Sequence, residues 1–292
     1  MEHRVFSPRR LAALTANTFT ELTRLKVFYV LLLFALVLIG SSLFVARLSF
    51  QQEFQVLKDV SLGAMSIFTS MLAIFATARL LPDDLEHRTV YTILAKPVPR
   101  FEYILGKLGG VLLLLAVSLL AMTALFCAVL YFREQAVLSD TLRQMGQLPP
   151  EQLRDALATI RGSAFHANLL PGITAIYLKG CILAALTLFI STFATSNIFS
   201  VVIAIFVYFI GHLQSVAREL WLGEQGAGWI SRTFLAFVAL LFPDLQLLDF
   251  SDEVVAGAVV PLALFAKTAG LACFYLVFYT LVAIAAFTGK EL

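Results

Sequence analysis

The chain reads as an all-α, polytopic membrane protein with six transmembrane helices, and three observations carry that reading. Sixty percent of the residues are hydrophobic and only 14% are charged, against an apolar share of roughly 45–50% in soluble domains. Several uncharged runs are long enough to cross roughly 30 Å of hydrocarbon as helices. The Lys and Arg residues collect between those runs rather than within them.

The elements follow in order. Ser7-Pro8 has the form of a helix start, since Ser can cap free amides and Pro is tolerated in the first turn. Leu11, Leu14, Thr18, Leu22 and Leu25 then recur at spacings of three and four beside Arg10, Asn17 and Arg24. That pattern predicts an amphipathic helix lying in the membrane interface, with a partner-contacting helix as the alternative. Spans are expected at about 27–46, 60–78 and 108–132, each free of charge. The first is a retained anchor on this reading, because it has full spanning length and a long polar arm precedes it.

Residues 133–170 form the expected external loop, in which Pro149-Pro150 and EQLRDALATIRG predict a short amphipathic helix ended by Gly162. The uncharged stretch Gly180 to Ala217 is too long for one span and is broken by Ser191, Thr192, Thr195, Ser196 and Asn197. It predicts a tight hairpin of spans at 173–193 and 197–217. Between Arg218 and Lys267, the apolar runs Thr233–Phe242 and Val254–Ala266 are too short to cross and read as external interfacial or re-entrant helices. Trp221 and Trp229 suit the interface at their start. The last span is expected at 268–289, and one membrane domain, 1–292, describes the whole.

Six spans put both termini on one side, and the positive-inside bias says which. The arms and loop on the terminal side hold 11 Lys and Arg, against 8 on the other. The termini are therefore expected in the cytoplasm.

The pattern also excludes classes of function. Cys127, Cys181 and Cys273 all fall in predicted spans, so no disulfide framework is implied. The formal charge of +2 is too small and dispersed for nucleic acid. His3, His87, His166 and His212 lie on different segments without metal-ligand spacing, and His212 reads as a hydrogen-bonded structural residue. Neither Gly106-Lys107 nor Gly289-Lys290 completes a phosphate-binding loop. No catalytic constellation, cofactor site or metal site is expected. All 19 acidic residues lie outside the predicted spans, which speaks against ion-coupled transport. Lys179 and Lys267 are the charged residues that can reach into the bilayer. They are expected to snorkel to the outer headgroups, with attraction of an anionic substrate or lipid headgroup as the sharper alternative. Gly180 with Ala184, and Ala266 with Gly270, offer small-residue approaches between helices.

The distinctive stretch is residues 82–107, PDDLEHRTVYTILAKPVPRFEYILGK. Asp83 or Asp84 can cap a helix whose Leu85, Thr89 and Ile93 share one face, and Pro97-Val98-Pro99 breaks it. Glu86, Arg88, Thr89, Lys96, Pro97, Val98, Arg100, Glu102, Leu105, Gly106 and Lys107 closely resemble the cytoplasmic loop of permease subunits in the second exporter type of ATP-binding-cassette transporters. The six spans, the amphipathic first helix and the tight fourth-to-fifth turn also look like that family, including members that serve metalloenzyme maturation or gliding motility.

The resemblance implies a permease of the bacterial inner membrane, without enzymatic activity of its own, that moves an unidentified substrate, in the export direction. Residues 84–95 would be a coupling helix seated in a separate ATPase subunit, which binds the ATP and Mg. The implied interface is Asp84, Glu86, Arg88, Thr89, Ile93, Lys96, Pro97, Arg100 and Lys107. A second permease copy, as homodimer or related heterodimer, is also implied. Two departures stand out: Arg88, where many members have Gly, and the long loop 133–170, which suits substrate capture or a periplasmic partner. The rival reading is an ATP-independent membrane scaffold or a secondary transporter.

Overall fold

The computed structural model describes residues 6–48, 53–86, 98–145, 150–166, 168–194, 196–223 and 242–289. Among these the chain is helical, with no strand. The helices are α1 Pro8–Thr23, α2 Lys26–Leu48, α3 Glu53–Ala78, α4 Leu80–Glu86, α5 Arg100–Met145, α6 Pro150–Ala164, α7 Leu169–Phe193, α8 Asn197–Gly223, α9 Ser251–Ala256 and α10 Leu262–Thr288, with one 3-10 turn at Gln246–Leu248. Six stretches are long and apolar enough to span a bilayer, carried by α2, α3, α5, α7, α8 and α10. This is a multi-pass membrane protein.

Burial sorts the spans. In α3 and α7, 72% and 67% of the apolar window is inside the molecule, against 22% in α2 and 28% in α8. The bundle is therefore centred on α3 and α7, with α2, α5, α8 and α10 around them. Small side chains set that centre: a Cβ on Gly180 of α7 would lie 2.6 Å from Thr69 Cγ2 of α3. Without a hydrophobic force between helices in lipid, such close backbone approach supplies the packing. No described residue lies within 4 Å of the corresponding position on Gly270, so none of them uses the expected Ala266–Gly270 approach.

Several boundaries differ from expectation for identifiable reasons. The helix of the third span continues to Met145 instead of entering a loop at Arg133, because residues 133–145 contain neither Gly nor Pro. α6 runs past Gly162 to Ala164; one Gly weakens a helix without ending it. The hairpin appears where expected, α7 ending at Phe193 and α8 beginning at Asn197, and Ser196 Oγ accepts the Phe199 amide at the start of α8. The run Val254–Ala266 is not one short helix. Gly257, at φ 71°, stops α9, and Pro261 precedes α10, which already begins at Leu262. The last span thus absorbs the second half of that run. Residues 233–241, including most of the other apolar run, and Trp229 lie outside the described residues.

Candidate functional site: the polar junction at the terminal end of the bundle

The start of α1 and the end of α10 both meet the start of α5. Arg100, the first residue of α5, donates to the carbonyl of Thr288 at 2.7 Å and reaches that of Phe287 at 3.5 Å, at the end of α10. The Tyr103 and Phe287 rings stack beside this contact with centroids 5.6 Å apart. A cation on the last carbonyls of a helix complements its unpaired acceptors and its dipole.

α1 begins where its sequence predicts, with Ser7 extended at the cap position and Pro8 in the first turn, but the Ser7 side chain makes no capping hydrogen bond. It does not simply float in the interface: it lies along α5. The approach is made possible by three glycines in the sequence GKLGG. A Cβ on Gly106 would lie 2.5 Å from Leu14 Cβ, one on Gly109 2.8 Å from Thr15 Oγ1, and one on Gly110 2.5 Å from Thr18 Cβ. Thr18 and Leu22 are correspondingly buried.

Charge pairs hold the docked helix. Arg10 makes a two-pronged contact with Glu102, at 2.8 and 2.9 Å, and the Ser7 amide donates to the same carboxylate at 2.9 Å. Glu102 has no exposure to solvent. Its hydrogen bond from Arg10, reinforced by the Ser7 amide, outweighs burial and holds the carboxyl below its ordinary value. A fork-shaped guanidinium suits this geometry. One turn further on, Lys107 bridges Asp84 at 2.7 Å and Glu21 at 3.2 Å, while the Tyr103 hydroxyl donates to Asp84. A single ammonium thereby joins α1, α4 and α5.

α4 itself arises from an interruption. The helix of the second span breaks at Arg79, three residues before Pro82, whose nitrogen cannot donate to the Ala78 carbonyl. Asp83 and Asp84 were expected as helix caps, but they lie inside α4. Asp83 pairs with Arg79 at 3.0 Å and accepts from the Asn197 side-chain amide at the start of α8.

Of the residues expected at a partner interface, Asp84 and Lys107 are buried and paired with each other, so they brace the junction from inside. Arg100 is committed to the end of α10. Glu86 is exposed at the last position of α4. Arg88, Thr89, Ile93, Lys96 and Pro97 lie outside the described residues. Arg10, Glu21, Tyr103 and Asn197 belong to the junction without having been expected there. The glycines at 106, 109 and 110, small residues at three- and four-residue spacing beside a span entrance, were the one legible signal for the docked helix.

The second polar feature is deep in the bundle. Lys179 does not snorkel: it is 1% exposed, its Nζ donates to Ser66 Oγ at 3.1 Å and pairs with Asp249 at 3.4 Å. Lys267 is exposed on α10, so the two lysines have different surroundings. Asp249 belongs to a connection in sequence, yet it folds onto α7 because Leu245 donates to the Gly211 carbonyl and seats the turn on α8. The separation of all carboxylates from the spans, true along the chain, does not hold in space. His212 sits over Tyr208, as a structural histidine does, with ring centroids 4.5 Å apart.

No protein-family model matches this chain, and no curated protein matches it.

The Glu102 contact yields a direct prediction. Glu102→Gln should raise the mobility of a nitroxide attached at exposed Ala13 several-fold at neutral pH. A depressed carboxyl contributes its stabilisation in full above the ordinary value of 4.5 and loses it as the pH falls through the lower folded value. The wild-type label should therefore loosen only in that acidic range, and the Gln variant should show no such transition. Equal mobility of the two proteins at neutral pH would remove the pair from the account of α1.

Proposed function

We propose that the chain is the membrane-spanning subunit of an ATP-binding-cassette transporter of the second exporter type, set in the bacterial inner membrane with cytoplasmic termini. The observation that carries this reading is the ordered run from Glu86 to Lys107 at the entrance of the third span. ATP and Mg would be bound by a separate ATPase subunit, and a second permease copy would complete the transporter. The moved substrate is unidentified, and export is the direction the resemblance favours.

The junction supports a mechanical role. A motor's motion can bias two permease states only through a stiff link, and here the element leaving the second span, the helix before the first, and the start of the third are tied by Lys107. Arg100 extends the tie to the last span. A push on the segment after Glu86 would thus reach four elements at once. Asp84 and Lys107 act as braces in this scheme, and Glu86 with the residues from Arg88 to Pro97 supplies the contact surface.

One observation favours the rival secondary transporter: an ionisable pair lies among the spans, and such groups are functional hypotheses by default. The two readings separate on the need for an ATPase. The full chain should co-purify from its native membrane with a separate ATP-binding-cassette ATPase, and Glu86→Ala combined with Arg88→Ala should lower the complex's ATP turnover at least tenfold. Absence of any ATPase association, or turnover indifferent to the double substitution, would sink the assignment.

A further inference from the structure

A cleft of about 280 Å³ opens between α1, α2, α3 and α8. Leu22 and Leu25 form one wall, Phe28 a second, Leu72 and Phe75 a third, and Val201 a fourth. Every residue that lines it is hydrocarbon except Arg79 and Asn197. These two polar residues lie together where α3 breaks and α8 starts, so the cleft has a polar end and an apolar end. Leu72 lies seven residues before Arg79, which places the apolar part roughly 10 Å along the helix from the polar rim.

Arg79 is the one charged residue on the lining, and two further cations adjoin lining residues in sequence. Arg24 and Lys26 flank Leu25 at the corner between α1 and α2, and both are exposed. Arg79 uses its Nε for Asp83, while Glu21, the other nearby acid, is paired with Lys107. One cation on the lining and two beside it therefore stand at the mouth of an apolar slot, while the two nearby carboxylates, Asp83 and Glu21, are already engaged. Asn197 adds an acceptor. Its amide nitrogen must face Asp83, because a carboxylate only accepts, which fixes Oδ1 as the free end. That oxygen is buried and has no hydrogen-bond partner among the described residues, and such a group calls for a donor.

We propose that this cleft holds one acyl chain of a bilayer phospholipid with an anionic, hydroxyl-bearing headgroup. The phosphate would lie at Arg79, within reach of Arg24 and Lys26, and a headgroup hydroxyl would donate to Asn197 Oδ1 once that buried end turns toward the cleft. An apolar slot with a few convergent polar groups is the usual form of a small-molecule site, and basic residues at a membrane surface favour anionic lipid. The site does not depend on the transporter assignment. Because Leu22 and Leu25 form part of the wall, an occupied cleft would also steady the end of docked α1.

Native mass spectrometry of the full chain, titrated with phosphatidylglycerol and with phosphatidylcholine of the same acyl length, tests the proposal. One phosphatidylglycerol should be retained roughly tenfold more strongly than phosphatidylcholine. Arg24→Gln with Lys26→Gln, both on the surface, should weaken phosphatidylglycerol retention about tenfold and phosphatidylcholine, whose phosphate is balanced by its own choline, by much less. Ala76→Phe, which fills the cleft, should abolish the single strong adduct of either lipid, with the thermal midpoint confirming a folded protein. Should Ala76→Phe not fold, Val201→Trp serves the same purpose on the opposite wall. Equal retention of the two lipids, a charge variant that behaves as wild type, a strong adduct that survives the plug, or displacement by inorganic phosphate alone would each overturn the site.

Discussion

Gly110→Ala is expected to destabilise the protein and release α1, although the same change in a freely exposed helix would stabilise. Intrinsic propensity favours Ala over Gly by roughly 0.5–1 kcal/mol within a helix. At Gly110 the added methyl would lie 2.5 Å from Thr18 Cβ, 2.7 Å from Thr18 Cγ2 and 3.1 Å from the Phe19 amide nitrogen. Two of these atoms are backbone or directly attached to it, so no rotamer change clears the space. The whole of α1 must retreat, and overpacking of this kind costs about 1–3 kcal/mol. Gly106→Ala meets Leu14 Cβ at 2.5 Å and should behave alike. Gly270→Ala is the matched control in the last span, since no described residue lies within 4 Å of its new methyl. Thermal midpoints in one detergent should fall for the first two variants and stay level or rise for the third. A rise for all three would mean that α1 is not held against α5.

The largest effect is expected at the buried pair. Asp249→Asn leaves the Lys179 ammonium, whose side chain is 2% exposed, without its anion. Removing one partner of a buried pair typically costs about 3–5 kcal/mol, because the remaining charge keeps its desolvation penalty. Lys179→Met should cost less. The Asp249 side chain is 34% exposed, so water can take over, and its Oδ1 also accepts the Ser251 amide. The double variant Lys179→Met with Asp249→Asn should recover most of the loss, since the buried charge is gone and Met fills the lysine's path. Thermal unfolding of the four proteins closes a double-mutant cycle. Additive losses, with no recovery in the double variant, would show that the two side chains do not depend on each other.

The two sites differ in how far their residues could be read along the chain. Glu102, Gly106 and Lys107 stand out in sequence because they sit at the entrance of a span, where charge and small size are uncommon together. Their partners do not stand out. Arg10 and Glu21 look like ordinary polar-face residues of an amphipathic helix, and only docking on α5 turns them toward Glu102 and Lys107. Asp84 reads as a helix cap by residue type, but the break at Arg79 starts the helix earlier and frees its carboxylate for Lys107. Lys179 was legible as an anomaly, a charge within an apolar run, while its surroundings were not. Snorkelling follows if the helix faces lipid, whereas α7 lies at the centre of the bundle.

Charge-free run lengths and turn or proline signals act over a few positions, so they determined by themselves the six spans, the hairpin at Ser196 and the helix that starts at Pro8. Which face of a helix meets another helix is not a local property, because in lipid an apolar surface gains little by choosing protein over hydrocarbon. Tertiary packing alone decided that α1 docks through Gly106, Gly109 and Gly110, and that α3 and α7 take the centre. It alone brought Asp249 from a connection into contact with a lysine on α7.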